Sequence, residues 1–577
     1  MIHIFKKIGW FIKKEWLTYL VLLTVLLAIN ILALLPALFL GQAIDVIVNN
    51  ELTMHKLIFY VGVLLLIPVT RYLMSYIYNY LMGKLAQKLA YELREKYLSH
   101  LFEMDLEFYE KYSKGDLIAR ATEHLENITV AATSLLEGLV FNVSTIILAI
   151  GIMSVSIHLR LTLISVTIMP IGLTILNLIR QKKRRYVKKH QEIYSQMAEK
   201  VLETTEGQKT LRAYVEEDND LEKTNDAIKA DIKSWSYIVK YENWFNPLFE
   251  VVYGISYSLA FVFGVYFIIN QQLTVGLLVT FIAYIGQLYS PIISISTVFT
   301  QINNAVTSID RYDEIMNEVP KVKNDETAQN IIHFNTITFD NVTYKYPFDK
   351  QPVIKDISFS IKKGQTIGIV GPTGAGKSTL IRQLLRQFNT TSGNIYIDDV
   401  NIKQYRIEDV RKLVGYVPQE HTLFRKPVDK NILMGNPMAS TLELERAILM
   451  ADFRKDINYL NQGVHTMVGE SGMTLSGGQK QRLSIARALV KNPDILILDD
   501  SLSAVDAKTE ANILEQLRLN RSEQTNIIVA HRFSAVRDAD IILVLENGRI
   551  SSKGTHEELL REDGWYKKQY IQQVTMV

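Results

Sequence analysis

Apolar residues crowd the first half of the chain into six long runs, at 17–40, 57–81, 135–157, 161–179, 247–269 and 273–295. A helix needs ~20 mostly apolar residues to cross a bilayer core, so the pattern predicts six membrane-spanning helices. Asn30, Arg71, Glu250 and Gln287 interrupt these runs, which sets them apart from plain anchors. Only His158, Leu159 and Arg160 separate spans three and four, and only Asn270, Gln271 and Gln272 separate spans five and six. Those are tight hairpins on one side of the membrane. The other side carries the long connections and the basic charge, with Lys6, Lys7, Lys13 and Lys14 before span one and the run Gln-Lys-Lys-Arg-Arg-Tyr-Val-Lys-Lys at 181–189 after span four. The positive-inside rule then puts both termini and the long loops in the cytoplasm. No small-residue cleavage site follows a short apolar core, so residues 1–16 are expected to be retained as an anchor.

Leu85, Leu89 and Leu93 keep helical spacing beyond span two, so that helix is expected to continue well outside the bilayer. The pattern breaks at 108–116 and again at 206–214, which predicts two elbows beside the membrane. They read either as levers to a soluble domain or as solvated helical hairpins. A polar stretch at 317–330 follows. Beyond it, strand-like runs such as 332–339 and 366–370 alternate with helix-like ones, the pattern of an α/β domain. The expected organisation is a helical membrane domain at 1–316, a linker at 317–331 and an α/β domain at 332–577.

Composition narrows the options. The 577 residues carry 63 Lys and Arg against 60 Asp and Glu, a net charge of +3, which argues against a nucleic-acid partner held by bulk charge. The chain has no cysteine, so disulfides, thiol catalysis, thiolate zinc sites and iron–sulfur clusters are excluded.

The chemistry lies in the second half. Gly371, Pro372, Thr373, Gly374, Ala375, Gly376, Lys377 and Ser378 fit the P-loop spacing G-x-x-x-x-G-K-[ST], behind an apolar strand and ahead of a helix that opens at Thr379. Glycines let the backbone wrap phosphate with its N–H groups pointing inward. Lys377 is expected on the β- and γ-phosphates, and the Ser378 hydroxyl on Mg²⁺. Downstream, the apolar run at 495–498 ends in Asp499, where a Walker B carboxylate would organise the metal. Alone, it would pass for a surface acid after a core strand. Between the two lies Leu-Ser-Gly-Gly-Gln at 475–479, which alone would pass for a helix-start turn.

Taken together, these motifs resemble the nucleotide-binding domain of ATP-binding cassette transporters, and the segment 475–479, with Ser476, Gly477, Gly478 and Gln479, resembles that family's signature. The resemblance implies further roles. Tyr346 matches the aromatic residue that stacks on adenine, Gln419 the Q-loop residue near Mg²⁺ and water, and Glu470 the exporter-specific loop. The segment 501–506 matches the D-loop, and His531 the switch histidine that contacts the γ-phosphate. The first half resembles the six-helix exporter membrane domain, its elbows near Gly115 and Gly207 matching coupling helices. The implied function is ATP-driven export of hydrophobic or amphipathic compounds, with ATP and Mg²⁺, in the cell membrane. Because one chain holds one P-loop and one signature, the resemblance implies a half-transporter that pairs with a second subunit.

One position departs from the family. Active cassettes follow the Walker B aspartate with a glutamate that orients the attacking water, and here that position is Asp500. Its carboxylate is one methylene short, and a ~1 Å misplacement can cost about a hundredfold in rate. A weak base beside an intact signature resembles the degenerate-site subunit of heterodimeric multidrug exporters; a slow homodimer is the alternative. A homodimeric lipid or drug flippase and a regulatory membrane ATPase without transport also remain open. Tyr72, Tyr76 and Tyr80 form one aromatic stripe, and Phe249, Tyr253, Tyr257 and Phe261 another beside Glu250. Such stripes suit either a wet cavity for organic cations or helix packing.

Overall fold

The computed structural model describes residues 2–347, 349–469 and 475–575, so Glu470 lies outside the described residues. Two compact units divide the chain: Met1–Leu101 with Gly115–Glu318, and Phe102–Lys114 with Val319–Val577.

The first unit is helical throughout. Helices Trp16–Val48, Met54–Glu103, Ile168–Glu206, Phe245–Ile269 and Val275–Met316 carry most of its length. Among the described residues, five helical stretches are long and apolar enough to cross a membrane. Spans three and four count as one of them, because Lys114–Glu206 runs on as helix with little interruption. The break between them is local: His158 adopts an extended backbone (φ −162°, ψ 113°), and its side chain caps the Leu161 N–H. The apolar pattern did not foretell the π-helical turns at Arg120–His124, Leu135–Phe141 and Met153–His158. The expected extension of span two is present, since Met54–Glu103 runs for 50 residues and buries Leu85, Leu89 and Leu93.

With little hydrophobic drive between helices in lipid, close backbone approach and polar contacts hold such a unit. A Cβ placed on Gly276 would lie 2.0 Å from the Gly41 carbonyl oxygen, so helices Trp16–Val48 and Val275–Met316 touch backbone to backbone there. The Asp45 carboxylate accepts from the Gly276 N–H at 2.7 Å and from the Thr274 hydroxyl at 2.7 Å. Deeper along the same pair, the Tyr284 hydroxyl donates to the Leu34 carbonyl at 3.1 Å. Asn30 is fully buried and paired, donating to Ser144 Oγ at 2.6 Å and accepting from the Thr145 hydroxyl at 2.8 Å. The aromatic stripes divide. Phe249 and Tyr253 pack against Tyr289 with ring centres 5.1 and 5.4 Å apart, whereas Tyr72, Tyr76 and Tyr80 stay exposed.

The second unit contains two sheets. Strands β1 (Thr336–Tyr344), β2 (Ile354–Lys362), β4 (Ser392–Ile397) and β5 (Val400–Asn401) form an antiparallel sheet in the order β2-β1-β4-β5. Strands β3 (Thr366–Val370), β6 (Val414–Val417), β7 (Ile495–Asp499), β8 (Thr525–Val529), β9 (Ile541–Glu546) and β10 (Arg549–Gly554) form the other, in the order β10-β9-β3-β8-β7-β6. All neighbours in the second sheet are parallel except β10. Strands β7 and β8 are buried along their whole length, which suits the apolar runs 495–498 and 527–529 within them. The short helix Leu106–Lys111, capped by Asp105, belongs to this unit. Leu106 packs on the core between the sheets, Asp105 accepts from the Lys321 N–H at 2.7 Å, and Glu110 lies 3.8 Å from the Arg382 guanidinium.

Candidate functional site

Strand β3 sits between β8 and β9, so its carboxyl end opens where the chain crosses over in both directions, the usual place for a ligand in an α/β sheet. The P-loop occupies that end. Gly371 needs to be glycine because a Cβ there would fall 2.0 Å from the Leu545 carbonyl oxygen, and Gly376 because its φ is +96°. Helix Lys377–Leu384 follows at once, with its first N–H groups facing the loop. Pro372, Thr373 and Gly374 are exposed at the mouth, while Ala375, Gly376, Lys377 and Thr379 are buried.

Lys377 folds back over the loop, its ammonium donating to the Gly371 carbonyl at 2.8 Å and the Pro372 carbonyl at 3.0 Å. Burial pulls its pKa down, opposed by Asp500 and Asp499. The Ser378 hydroxyl donates to Asp499 Oδ1 at 2.8 Å, and the Tyr416 hydroxyl to Oδ2 at 3.1 Å. Asp499 is 1% exposed, and burial holds its carboxyl above the ordinary range against those two hydrogen bonds. Hydroxyl, carboxylate and the Gln419 amide oxygen are the hard donors Mg²⁺ takes, so the residues present fit that ion.

Asp500 takes the next position in a left-handed backbone (φ 49°) and accepts from the Gln419 amide at 3.4 Å. Burial also raises its pKa, countered first by His531 and then by Lys377 and Arg532. His531 follows β8, whose Val529 pairs with both Asp499 of β7 and Ile369 of β3, and so reaches this end of the sheet. Its backbone carbonyl accepts from Gln573 at 2.8 Å. Tyr346 lies half-buried after β1, edge-on to Tyr344 and Phe388, with its hydroxyl 3.1 Å from Thr379 Oγ1. The structure thus gathers Lys377, Ser378, Gln419, Asp499 and Asp500 at one sheet end.

The signature residues are a separate feature of this chain. Ser476 caps helix Gly477–Leu489 in a reciprocal box with Gln479, which matches the helix-start reading of that segment. Asp456 braces the turn, accepting from Gln479 at 3.2 Å and from Nε and Nη2 of the Arg482 guanidinium at 2.7 and 2.9 Å. Gly477 faces open space. Sequence reasoning missed Asp456 because nothing local marks a carboxylate 23 and 26 residues upstream of Gln479 and Arg482 as their partner. The sequence did not single out Tyr416 either, although a tyrosine near the end of an apolar strand could have signalled a hydroxyl turned to the site.

Family comparison agrees with this geometry. The family described as "ABC transporter transmembrane region" matches residues 19–292, and the one described as "ABC transporter" matches residues 354–503. The chain is 38% identical to the Bacillus subtilis (strain 168) protein named "Probable multidrug resistance ABC transporter ATP-binding/permease protein YheI", over 99% of this chain and 98% of that one. The chain belongs to the ABC transporters. It is an exporter half-transporter, with the membrane and cassette domains fused. Escherichia coli (strain K12) "Multidrug resistance-like ATP-binding protein MdlA" is 32% identical over 98% of this chain and 96% of its own length. Among solved structures, a bacterial Atm1-family ABC exporter with ATP bound superposes with a TM-score of 0.81 at 26% identity, covering 97% of this chain and 98% of that one. This ABC exporter half therefore binds ATP and couples its hydrolysis to transport as a multi-pass membrane protein that acts as a dimer.

Proposed function

We propose that this half-transporter drives ATP-dependent export of hydrophobic or amphipathic compounds, multidrug in character, as one member of a heterodimer. Six spans, cytoplasmic termini and a cytoplasmic cassette complete the reading, supported by the extended turn at His158 and the basic run at 181–189. In it, Tyr346 stacks on adenine and the loop from Gly371 to Thr379 cradles the phosphates. Ser378, Asp499 and Gln419 would hold Mg²⁺, which would supply charge neutralisation at the phosphates. His531 faces the γ-phosphate, and Ser476, Gly477, Gly478 and Gln479 close over the partner's nucleotide.

The observation that carries the heterodimer is Asp500. Its short side chain is turned to Gln419 at 3.4 Å, a hydrogen bond at the long limit, while the signature turn is fully braced. A carboxylate so placed is a poor general base for a water at the γ-phosphate. The experiment is steady-state ATPase of the purified chain alone and co-expressed with a second half-transporter that carries glutamate after its Walker B aspartate. Activity only in the co-expressed pair supports the reading. Full activity of the single chain, lost in Asp500→Asn, overturns it in favour of a homodimer.

A further inference from the structure

A cavity of about 1300 Å³ opens inside the membrane unit where span four leaves its apolar run. Helix Ile168–Glu206 forms one wall with Arg180, Lys183, Arg184, Arg185 and Lys188. Tyr241 and Glu242 at the end of helix Glu217–Glu242 form a second wall. Phe299, Asn303 and Asn304 on helix Val275–Met316 form the third. Glu242 is the one acid among the described lining residues, and it is engaged by Lys183 at 3.1 Å. Among the described lining residues, no ion pair joins Arg184, Arg185 or Lys188 to a carboxylate on these walls.

Their spacing makes the charge costly. Arg184 and Lys188 lie four residues apart, so they share one helix face, where like charges destabilise the helix. An anion in the cavity relieves that repulsion, and guanidinium forks bind phosphate, carboxylate or sulfonate with two hydrogen bonds. Asn303 and Asn304 add neutral donors, while Phe299 and Tyr241 offer aromatic surface. We propose that this cavity binds amphipathic organic anions, the acidic head among Arg184 and Lys188 and the apolar part against Phe299. Glu250, the acid around which a cation site would be built, is not on its walls. The inference rests on the membrane unit alone and does not require the export reading.

The head can come from an acidic phospholipid or from a soluble molecule. The test uses the full chain in phosphatidylcholine nanodiscs and two dansyl-aminohexyl probes, one ending in sulfonate and one in trimethylammonium. Fluorescence anisotropy should show the sulfonate binding at least tenfold tighter than the cation. Arg184→Gln with Lys188→Gln should weaken the sulfonate about tenfold or more and leave the cation unchanged. Asn303→Asp, which adds one negative charge to the far wall, should weaken the sulfonate and strengthen the cation. Retained labelling by an azido-ATP analogue certifies that each variant is folded. Replacing a third of the lipid with phosphatidylglycerol then separates the sources: competition with the sulfonate assigns a lipid headgroup, and no competition assigns a soluble anion. Equal binding of both probes by the wild-type chain overturns the site, as does sulfonate affinity unchanged in both variants.

Discussion

Ser378 donates its hydroxyl hydrogen to Asp499 Oδ1 across 2.8 Å, which joins the end of the P-loop to the end of β7 where the metal is expected. The bond forms between residues 121 positions apart, and it exists because β3 and β7 flank β8 in register. Two elements that each look ordinary in sequence become a site only through this sheet order.

That relationship has a thermodynamic sign. Burial raises the Asp499 pKa above its unfolded value, so the folded, nucleotide-free cassette disfavours the ionised form. The cost is present at neutral pH and shrinks as pH falls through the raised pKa. Asp499→Asn removes the charge, so it should stabilise the nucleotide-free cassette by on the order of 1 kcal/mol at pH 7.5 and move its transition to higher temperature. The same variant should lose the further stabilisation that Mg·ATP gives the wild-type chain. Calorimetry with and without Mg·ATP reads both effects, and a lower transition temperature without nucleotide would contradict the burial argument.

Nucleotide binding should follow the same shifts. Burial raises Asp499 and Asp500 in the nucleotide-free cassette, so Mg·ATP, which favours the ionised carboxylates, should bind this chain's own loop more weakly as the pH falls through the raised pKa of Asp499. Labelling by an azido-ATP analogue should decline toward acid pH in the wild-type chain and decline less in Asp499→Asn, and the same pH profile in both would refute the assignment.

Lys377→Ala should weaken ATP binding at this chain's own loop tenfold or more, because the phosphates lose their main point charge. The lysine is buried and already tethered to Gly371 and Pro372, so its loss also frees the two loop carbonyls it holds. Labelling by an azido-ATP analogue should fall on this chain, and unchanged labelling would exclude Lys377 from the phosphates.

The sequence made the loop, the carboxylate and the signature legible because each is a local pattern with a fixed spacing. Span two was legible as far as Leu93 for the same reason. The rest depended on long-range placement. Asp456 reaches Gln479 and Arg482 through tertiary packing. Segment Phe102–Lys114 packs with the cassette unit through Asp105, Leu106 and Glu110, a relation no spacing in the chain announces. The basic run at 181–189 was read only as a topology signal, yet helical periodicity puts part of it on one wall of a cavity.

Tyr346 tests the adenine assignment. Its ring is held by Tyr344 and Phe388, and its hydroxyl by Thr379 at 3.1 Å. Tyr346→Ala should cost roughly 1–2 kcal/mol of ATP affinity, the scale of an aromatic–base stack. Tyr346→Phe keeps the ring and loses only the tether, so it should bind within about threefold of wild type. Isothermal titration of both variants separates stacking from tethering, and an unchanged Tyr346→Ala would place adenine elsewhere.

The sharpest prediction concerns asymmetry, and it comes from the contrast between Asp500 and Ser476. In a heterodimer, the site built on this chain's P-loop and Asp500 should hold ATP and turn it over slowly. The other site, closed by Ser476, Gly477 and Gly478, should do most of the hydrolysis. Ser476→Arg adds a bulky cation at the exposed helix cap and removes the hydroxyl that accepts from the Gln479 N–H. It should therefore abolish most ATPase activity while ATP labelling of this chain's own loop persists. Asp500→Asn should cost little by comparison, because the carboxylate it neutralises is short and turned toward Gln419. A homodimer reverses the pattern at Asp500, since that carboxylate would then be the base at both sites and its loss would stop turnover. Steady-state ATPase of the two variants, each alone and with the glutamate-bearing partner, gives opposite rankings for the two assemblies.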